Sequence, residues 1–447
     1  MKPLHTLANL DEIKLLLKYE VLERFEEGFT VDVEDYINRI SAVTSIDMLM
    51  DIYSELGSCK PRNTYSYIEP SDWSSIQGER QGFFEEYPVP MNSIRDKILG
   101  GWLGRCAGCM LGKPIEGWTH NQIKHALSRI GEYPLREPYI PFEVFNEVDE
   151  KKRRNVLKLT RGSIVMVERD DDIDYTIMNL LIYERYGSNF DSIDIGEMWL
   201  LHLPYKSIYT AERIAYRNLV IGLKPPNTAT YLNPYREWIG AQIRADFWGY
   251  ISPGRPEQAL NYAFKDSILS HTKNGIYGEL YVASLISLAF YHVSPFDLIL
   301  DGLKSIPSRS RLFEALNFVL DLYRKGLSWF EAIEQILTRY SSYHPVHTIN
   351  NAAIVTSSIL WGEGDFTKTL YYALLSGLDT DCNCATVGSI LGVMLGRRGI
   401  PECWIRPLND RVASAVSGIG ITSISELAER TLKLIEDYSG QHSANSS

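Results

Sequence analysis

Apolar residues recur at three- and four-residue spacing along almost the whole of this chain, and that period restricts the fold more than any other feature of the sequence. After residue 91 the pattern returns in "DYTIMNLLIYERYG", "PEQALNYAFKDSILSH", "GELYVASLISLAFY", "RLFEALNFVLDLYRKG", "NNAAIVTSSILWG" and "CATVGSILGVMLG". Runs with period two are scarce, and "SIVMV" at 163–167 is among the few that predict a strand. The expected fold class is therefore all-α, a compact body of many helices joined by Gly/Pro-rich loops. No repeat of fixed period is present, which disfavours a solenoid. At 447 residues the chain exceeds the size at which one core keeps growing, so one large domain with an appendage, or two domains, is expected. Residues 5–60 read as short helices ("LDEIKLLLKYEVLERF", "VEDYINRISAVTSIDMLMDIYSEL"), and from Lys60 to Val89 the pattern dissolves into a Pro-, Ser- and aromatic-rich strap. The division expected is an N-terminal helical extension and strap at 1–90 and a main domain at 91–447.

Composition excludes several function classes. Hydrophobic residues at 45% and charged residues at 23% are globular values that give no case for disorder. Lys and Arg total 45 against 56 Asp and Glu, a net charge of -11, and no basic block forms a nucleic-acid groove. The N-terminus carries acidic residues inside its apolar run and does not read as a signal peptide. The stretch "ILGGWLGRCAGCML" is too short to span a bilayer and holds Arg105 in its middle, so no membrane partner is expected. Six cysteines in a chain of this length make no disulfide framework, and a reducing cytoplasm is the expected location.

Two acidic phrases stand at the mouths of apolar helices: "VERDDDIDYTIMN", with Asp170, Asp171 and Asp172, and "SGLDTDCNCATVGSILG", with Asp379 and Asp381. Capping and the helix dipole account for one or two carboxylates at such a place, not for five. Adjacent carboxylates stay ionised together only beside positive charge or in water. The second phrase has small apolar neighbours on both sides, as at a helix packing seam, where a carboxylate needs hydrogen bonds or a cation. Oxygen ligands of this kind suit Mg²⁺, Mn²⁺ or Ca²⁺ better than zinc.

Other motifs point elsewhere. Cys106 and Cys109 form a CxxC and Cys382 and Cys384 a CxC, but the first pair lies in a helical run and not on a knuckle, which disfavours structural zinc. "AGCMLGKP" echoes a phosphate loop and fails it, with Ala107 for the first Gly and Pro114 for the Ser or Thr. His344 and His347 flank Pro345 and read as exposed loop histidines. The phrase "LSHTKNGIYGE" is a stronger candidate: His271, Asn274, Gly275, Tyr277 and Gly278 donate, stack and let backbone approach a ligand, with a capped helix junction as the plain alternative. Tyr231, Tyr235, Trp238, Phe247 and Trp248 offer either a stacking surface or simple packing.

Taken in order, "GCMLGKPIEGW", "RDDDIDYT", "IGAQIRADFWG", "LSHTKNGIYGE" and "LSGLDTDCNCATVGSILG" resemble the successive phrases of the ADP-ribosylglycohydrolase family, from about Ser93 to about Pro407. The resemblance implies an orthogonal bundle of helices around a binuclear Mg²⁺ centre, Mn²⁺ being the substitute, that cleaves the glycosidic bond of an ADP-ribose-like ribose. It assigns Asp170, Asp171, Asp172, Asp379 and Asp381 to the metal, and Glu116 and Asp172 to catalysis. Gly240, Gln242 and Arg244, with the His271 phrase, fall to substrate. Cys109 stands where the family has Asp, Cys382 where it has Thr, and "DDDI" replaces "TDDT", so a second register puts Asp174 and Thr176 in the site. The partner implied is a small ribosyl substrate or an ADP-ribosylated macromolecule. A hydrolase of free nucleosides or other N-ribosides, and a metal-stabilised scaffold without turnover, are the alternatives. Leaving group and oligomeric state stay open.

Overall fold

A computed structural model describes residues 9–445. Among them are twenty-two α-helices linked by loops and short 3-10 turns, and one two-stranded hairpin, so the architecture is all-α. The hairpin pairs Arg411–Ala413 with Ile421–Ser423. The strand expected at 163–167 is corrected: only Val167 joins the hairpin, giving its N–H to Arg411 and accepting from Ala413 N, while Val165 is exposed. Alternation over five residues was too short a signal to carry a strand.

The body is organised around two antiparallel helices in backbone contact, Met91–Gly112 and Thr380–Leu395. Gly100, Gly104, Gly108 and Gly112 follow one another every fourth residue, which lines them along one face. A Cβ at Gly104 would stand 2.0 Å from the Gly388 carbonyl oxygen, and one at Gly108 1.9 Å from that of Cys384. Only hydrogen fits between these backbones. The register sets the end of the first helix beside the start of the second: Thr380 Oγ1 donates to the Gly112 carbonyl at 2.9 Å.

The extension is made of the helices Leu10–Glu26, Val33–Ala42 and Ile46–Gly57. The apolar run 33–56 breaks into two of them because Ser45, extended, caps the second through Met48 N. Their apolar faces form a small core around Ile13, Leu17, Ile40 and Leu49, to which Leu232 of the body contributes. Buried Arg236 anchors them, pairing with Glu20 at 2.6 Å and Glu27 at 2.8 Å. The strap carries one short helix, Trp73–Glu79, and is tied down by Glu69 on Arg311 (2.9 Å) and by Arg80, whose Nη1 donates to Glu257 at 3.0 Å. No helix among the described residues is long and apolar enough to cross a membrane.

Candidate metal centre and ligand cavity

Three chain segments meet where the glycine-paired helices end. After Gly112 the chain turns through Lys113–Ile115 to Glu116, and residues 117–119 then pair with 377–378: Gly117 N donates to the Leu378 carbonyl (2.9 Å) and Leu378 N to that of Trp118 (3.0 Å). Leu378, with φ of 64°, turns the chain into Asp379 and the first turn of Thr380–Leu395. This short ladder places Glu116 beside the second acidic phrase.

The third segment is the start of the Asp171–Tyr186 helix, whose N-cap Asp170 accepts from Asp172 N at 3.0 Å. Arg105, fully buried in the Met91–Gly112 helix, holds it there. Its guanidinium donates to the Asp172 carbonyl and to that of Ile243, lies 3.3 Å from Asp172 Oδ1, and pairs with Asp246 at 2.9 Å. From the sequence, Arg105 stands out only as a charge that excludes a bilayer span. A buried arginine in a Gly-rich helix signals a fixed ion pair, because such a charge is not tolerated alone.

The result is a cavity of about 340 Å³ bounded by Lys113, Glu116, Arg169, the five aspartates Asp170, Asp171, Asp172, Asp379 and Asp381, and Cys382 on one side. Tyr209, Thr210, Ala211, Trp238, Ile239, Gly240, Ile243 and Val346 close the other. Oxygens of Asp170, Asp172 and Asp381 lie within 4.8 Å of one another, as do those of Asp379 and Asp381 with the Cys382 sulfur.

Electrostatics ask for a cation here. Burial, then the neighbouring Asp170, pushes the carboxyls of Asp171 and Asp172 well up. Burial, then Glu116 and Asp379, does the same to Asp381, and burial raises Asp379. Asp170 is the exception: burial is outweighed by Lys113, whose ammonium pairs with Oδ2, and its carboxyl is held low. Glu116 stands at the mouth, where loss of water and the charges of Asp379 and Asp170 push it up to about 7. Oδ1 of Asp379 and Oδ1 of Asp381 have no hydrogen-bond partner, although the residues are 4% and 5% exposed. Orphaned buried carboxylate oxygens are the opening a divalent cation fills, so these residues fit a metal.

All five expected metal ligands and Glu116 thus converge. The second register is not what the fold uses: Asp174 accepts from Arg169 (2.7 Å), Ser414 Oγ (2.6 Å) and Ala415 N (2.9 Å), and Thr176 Oγ1 donates back to the Asp172 carbonyl. Of the expected substrate residues only Gly240 borders the cavity, where a Cβ would meet Glu212 at 2.2 Å. Arg244 is fully buried behind it, bound to Asp266 (2.9 Å), Glu212 and Ser270. His271 takes Ser270 at 2.8 Å, and burial, then Arg244, drives its imidazole well toward the neutral form. Gln242 is buried with no partner for its amide.

The rest of the His271 phrase clasps the strap. Asn274 donates to Glu69 (2.8 Å), Tyr277 OH to the Pro70 carbonyl, and Lys273 N to Ser71 Oγ (3.0 Å), while a Cβ on Gly275 would meet the Arg236 carbonyl oxygen at 2.3 Å and one on Gly278 the Thr348 methyl at 2.5 Å. The loop histidines are also corrected. His347 is buried and caps the Thr348–Gly362 helix through Ile349 N (3.1 Å), and His344 stacks on Trp238 at 4.1 Å. Among the aromatic residues Trp238 walls the cavity, Tyr235 and the extension's Tyr19 back it at 4.5 and 5.7 Å, Tyr231 faces Tyr53, and Phe247 and Trp248 are core.

The family model described as ADP-ribosylglycohydrolase matches residues 90–441, well over half of the chain. Among solved structures, an "ADP-ribosylglycohydrolase-related protein complex" is similar at 18% identity and a TM-score of 0.45, covering 77% of this chain and 99% of the other. No curated protein matches.

Proposed function

Because the chain belongs to the ADP-ribosylglycohydrolase family, we propose that it is a divalent-cation-dependent hydrolase of a ribosyl glycosidic bond, acting on an ADP-ribosylated macromolecule or a small ADP-ribose derivative. One observation carries the reading: Glu116 and five aspartates from three distant segments line one cavity whose buried Asp379 and Asp381 oxygens lack partners. The family match starting at residue 90 supports taking 91–447 as the catalytic body and 1–90 as an extension.

Asp172, Asp379 and Asp381, with Asp170 and Asp171 beside them, would hold Mg²⁺ or Mn²⁺, which when bound supplies Lewis acidity toward water and ribose hydroxyls. The protein's own groups do the rest. Arg105 fixes Asp172 from behind, and Lys113 keeps Asp170 ionised. Carboxylates around the anomeric carbon stabilise the oxocarbenium-like charge that develops as the aglycone departs. Glu116, with a carboxyl near pH 7, gives a proton to the leaving group or takes one from the attacking water. Trp238, packed by His344 and Tyr19, offers a flat apolar wall to the substrate.

Product analysis tests this. Purified protein with Mg²⁺ should release ADP-ribose from ADP-ribosylated protein or from ADP-ribose esters, and chelation should abolish release. Base release from nucleosides alone would move the substrate to the N-ribosides, and no release from any of the three would leave a scaffold.

A further inference from the structure

The two ligand groups in the cavity share Asp381 and differ in kind. Asp170, Asp172 and Asp381 offer oxygen only, and both oxygens of Asp170 are already engaged, by Lys113 Nζ and by Asp172 N. One oxygen each of Asp379 and Asp381 lies with the Cys382 sulfur within 4.8 Å of one another, and Oδ1 of each aspartate is buried without a hydrogen-bond partner. The Cys382 side chain is buried and donates to Asp172 Oδ2 at 3.2 Å, so its sulfur faces the carboxylates and not the apolar seam. Cys384 shows the contrast. Two residues along the same helix, its backbone abuts Gly108 and its thiol donates away from the carboxylates to the Leu370 carbonyl at 3.8 Å.

Resting on the metal-centre reading above, we propose that Cys382 is a metal ligand and that the Asp379, Asp381 and Cys382 group prefers a borderline transition ion, of the Zn²⁺ or Co²⁺ class, over Mg²⁺. Mg²⁺ takes oxygen almost to the exclusion of sulfur, whereas thiolate raises affinity for the later divalent metals. Three protein donors, with a further position left for water or substrate, is the ligand number of catalytic zinc sites. On binding, the S–H bond breaks, the proton leaves to solvent, and the sulfur lone pair forms the metal bond. No oxidant or other reactant is consumed. The cavity would then offer two unlike ligand groups that share Asp381, one of oxygen only and one of mixed character.

Co²⁺ titration of the metal-free full-length protein reads this directly. Expected is a sulfur-to-cobalt charge-transfer band in the near ultraviolet that persists in excess Mg²⁺, is absent from Cys382→Thr and Cys382→Ser, and is retained by Cys384→Ser and Cys109→Ser. Affinity for Co²⁺ and Zn²⁺ should fall roughly tenfold or more in Cys382→Thr, at least the cost of losing an outer-sphere partner, while Mg²⁺ affinity does not fall. Circular dichroism checks that each variant is folded. Cobalt bound by equilibrium dialysis without the band, or a band that survives in both folded Cys382 variants, overturns the assignment. No cobalt or Mg²⁺ bound at all overturns the metal-centre reading instead.

Discussion

Gly104 and Gly388 meet backbone to backbone, each where a Cβ on the other would fall about 2 Å from a carbonyl oxygen (2.0 and 2.2 Å). The acidic cavity lies at the end of that contact, so the spacing of the two helices also sets how Glu116 stands to Asp381. Gly104→Ala forces the pair apart. A loss of about 3 kcal/mol or more is expected, at the upper end of overpacking because the obstacle is backbone. Urea melts measure it, and metal affinity should fall in the same variant although Gly104 touches no ligand.

Asp381 joins both ligand groups, and its carboxyl is pushed up by burial, then by Glu116 and Asp379. Asp381→Asn therefore has opposite effects with and without metal. In chelator the variant should melt above the wild type, because one buried charge and its repulsions are gone. With divalent ion at about a hundred times its Kd the wild type should gain about 2.7 kcal/mol, and the variant little. Equal gains in both would remove Asp381 from the centre.

Glu116 reaches the cavity from the rim and is exposed. Glu116→Gln should lower kcat by about 10²- to 10⁴-fold, the range for loss of a general acid or base, with substrate affinity nearly unchanged. A variant retaining wild-type kcat would assign proton transfer to another group.

Helical periodicity made the all-α class legible, and the two acidic phrases made the cavity's aspartates legible, because both signals are local in sequence. Pairings at long range were not. Lys113 stands in a failed phosphate loop and Asp170 in an acidic run, and nothing local pairs them; their ion pair exists because Arg105 holds the start of the Asp171–Tyr186 helix against the Met91–Gly112 helix. Asn274, Gly275 and Tyr277 show the converse. Donors, small residues and a tyrosine serve a ligand or a strap equally well, and the choice depends on where residues 69–71 lie, which no local pattern records. The hairpin strands, three residues each, were too short to display alternation.

Strap docking should be acid-labile through Glu69. Burial raises its carboxyl, but Arg311 and the hydrogen bonds from Tyr65 and Arg311 outweigh burial and hold it below the ordinary value. A carboxylate lowered on folding stabilises above its unfolded pKa, roughly 4.3, and that contribution is lost as pH falls through the folded value. Glu69→Gln should cost about 3 kcal/mol at pH 7, the low end for breaking a buried pair because Arg311 keeps Glu237. The gap between variant and wild type should narrow only below about pH 4 to 5. Denaturation midpoints at stepped pH measure it, and a gap independent of pH would mean that the carboxylate charge is not what holds the strap.

Tyr19 belongs to the extension and Trp238 to the cavity wall, with ring centroids 5.7 Å apart and planes at 88°. His344 stacks on the same indole at 4.1 Å and its ring also meets that of Tyr19 at 6.0 Å, so an extension residue and a body loop together pack Trp238. Tyr19 is not among the residues that line the cavity, so its removal should free the wall while leaving the acidic groups in place. Tyr19→Ala should therefore raise KM about two- to tenfold, matching the 0.5–1.5 kcal/mol of an aromatic pair, and leave kcat within about twofold. Tyr19→Phe keeps the ring and should restore KM. Were Tyr19→Ala to lower kcat with KM unchanged, the extension would act on the carboxylates and not on the wall; were neither to move, Trp238 would not face substrate.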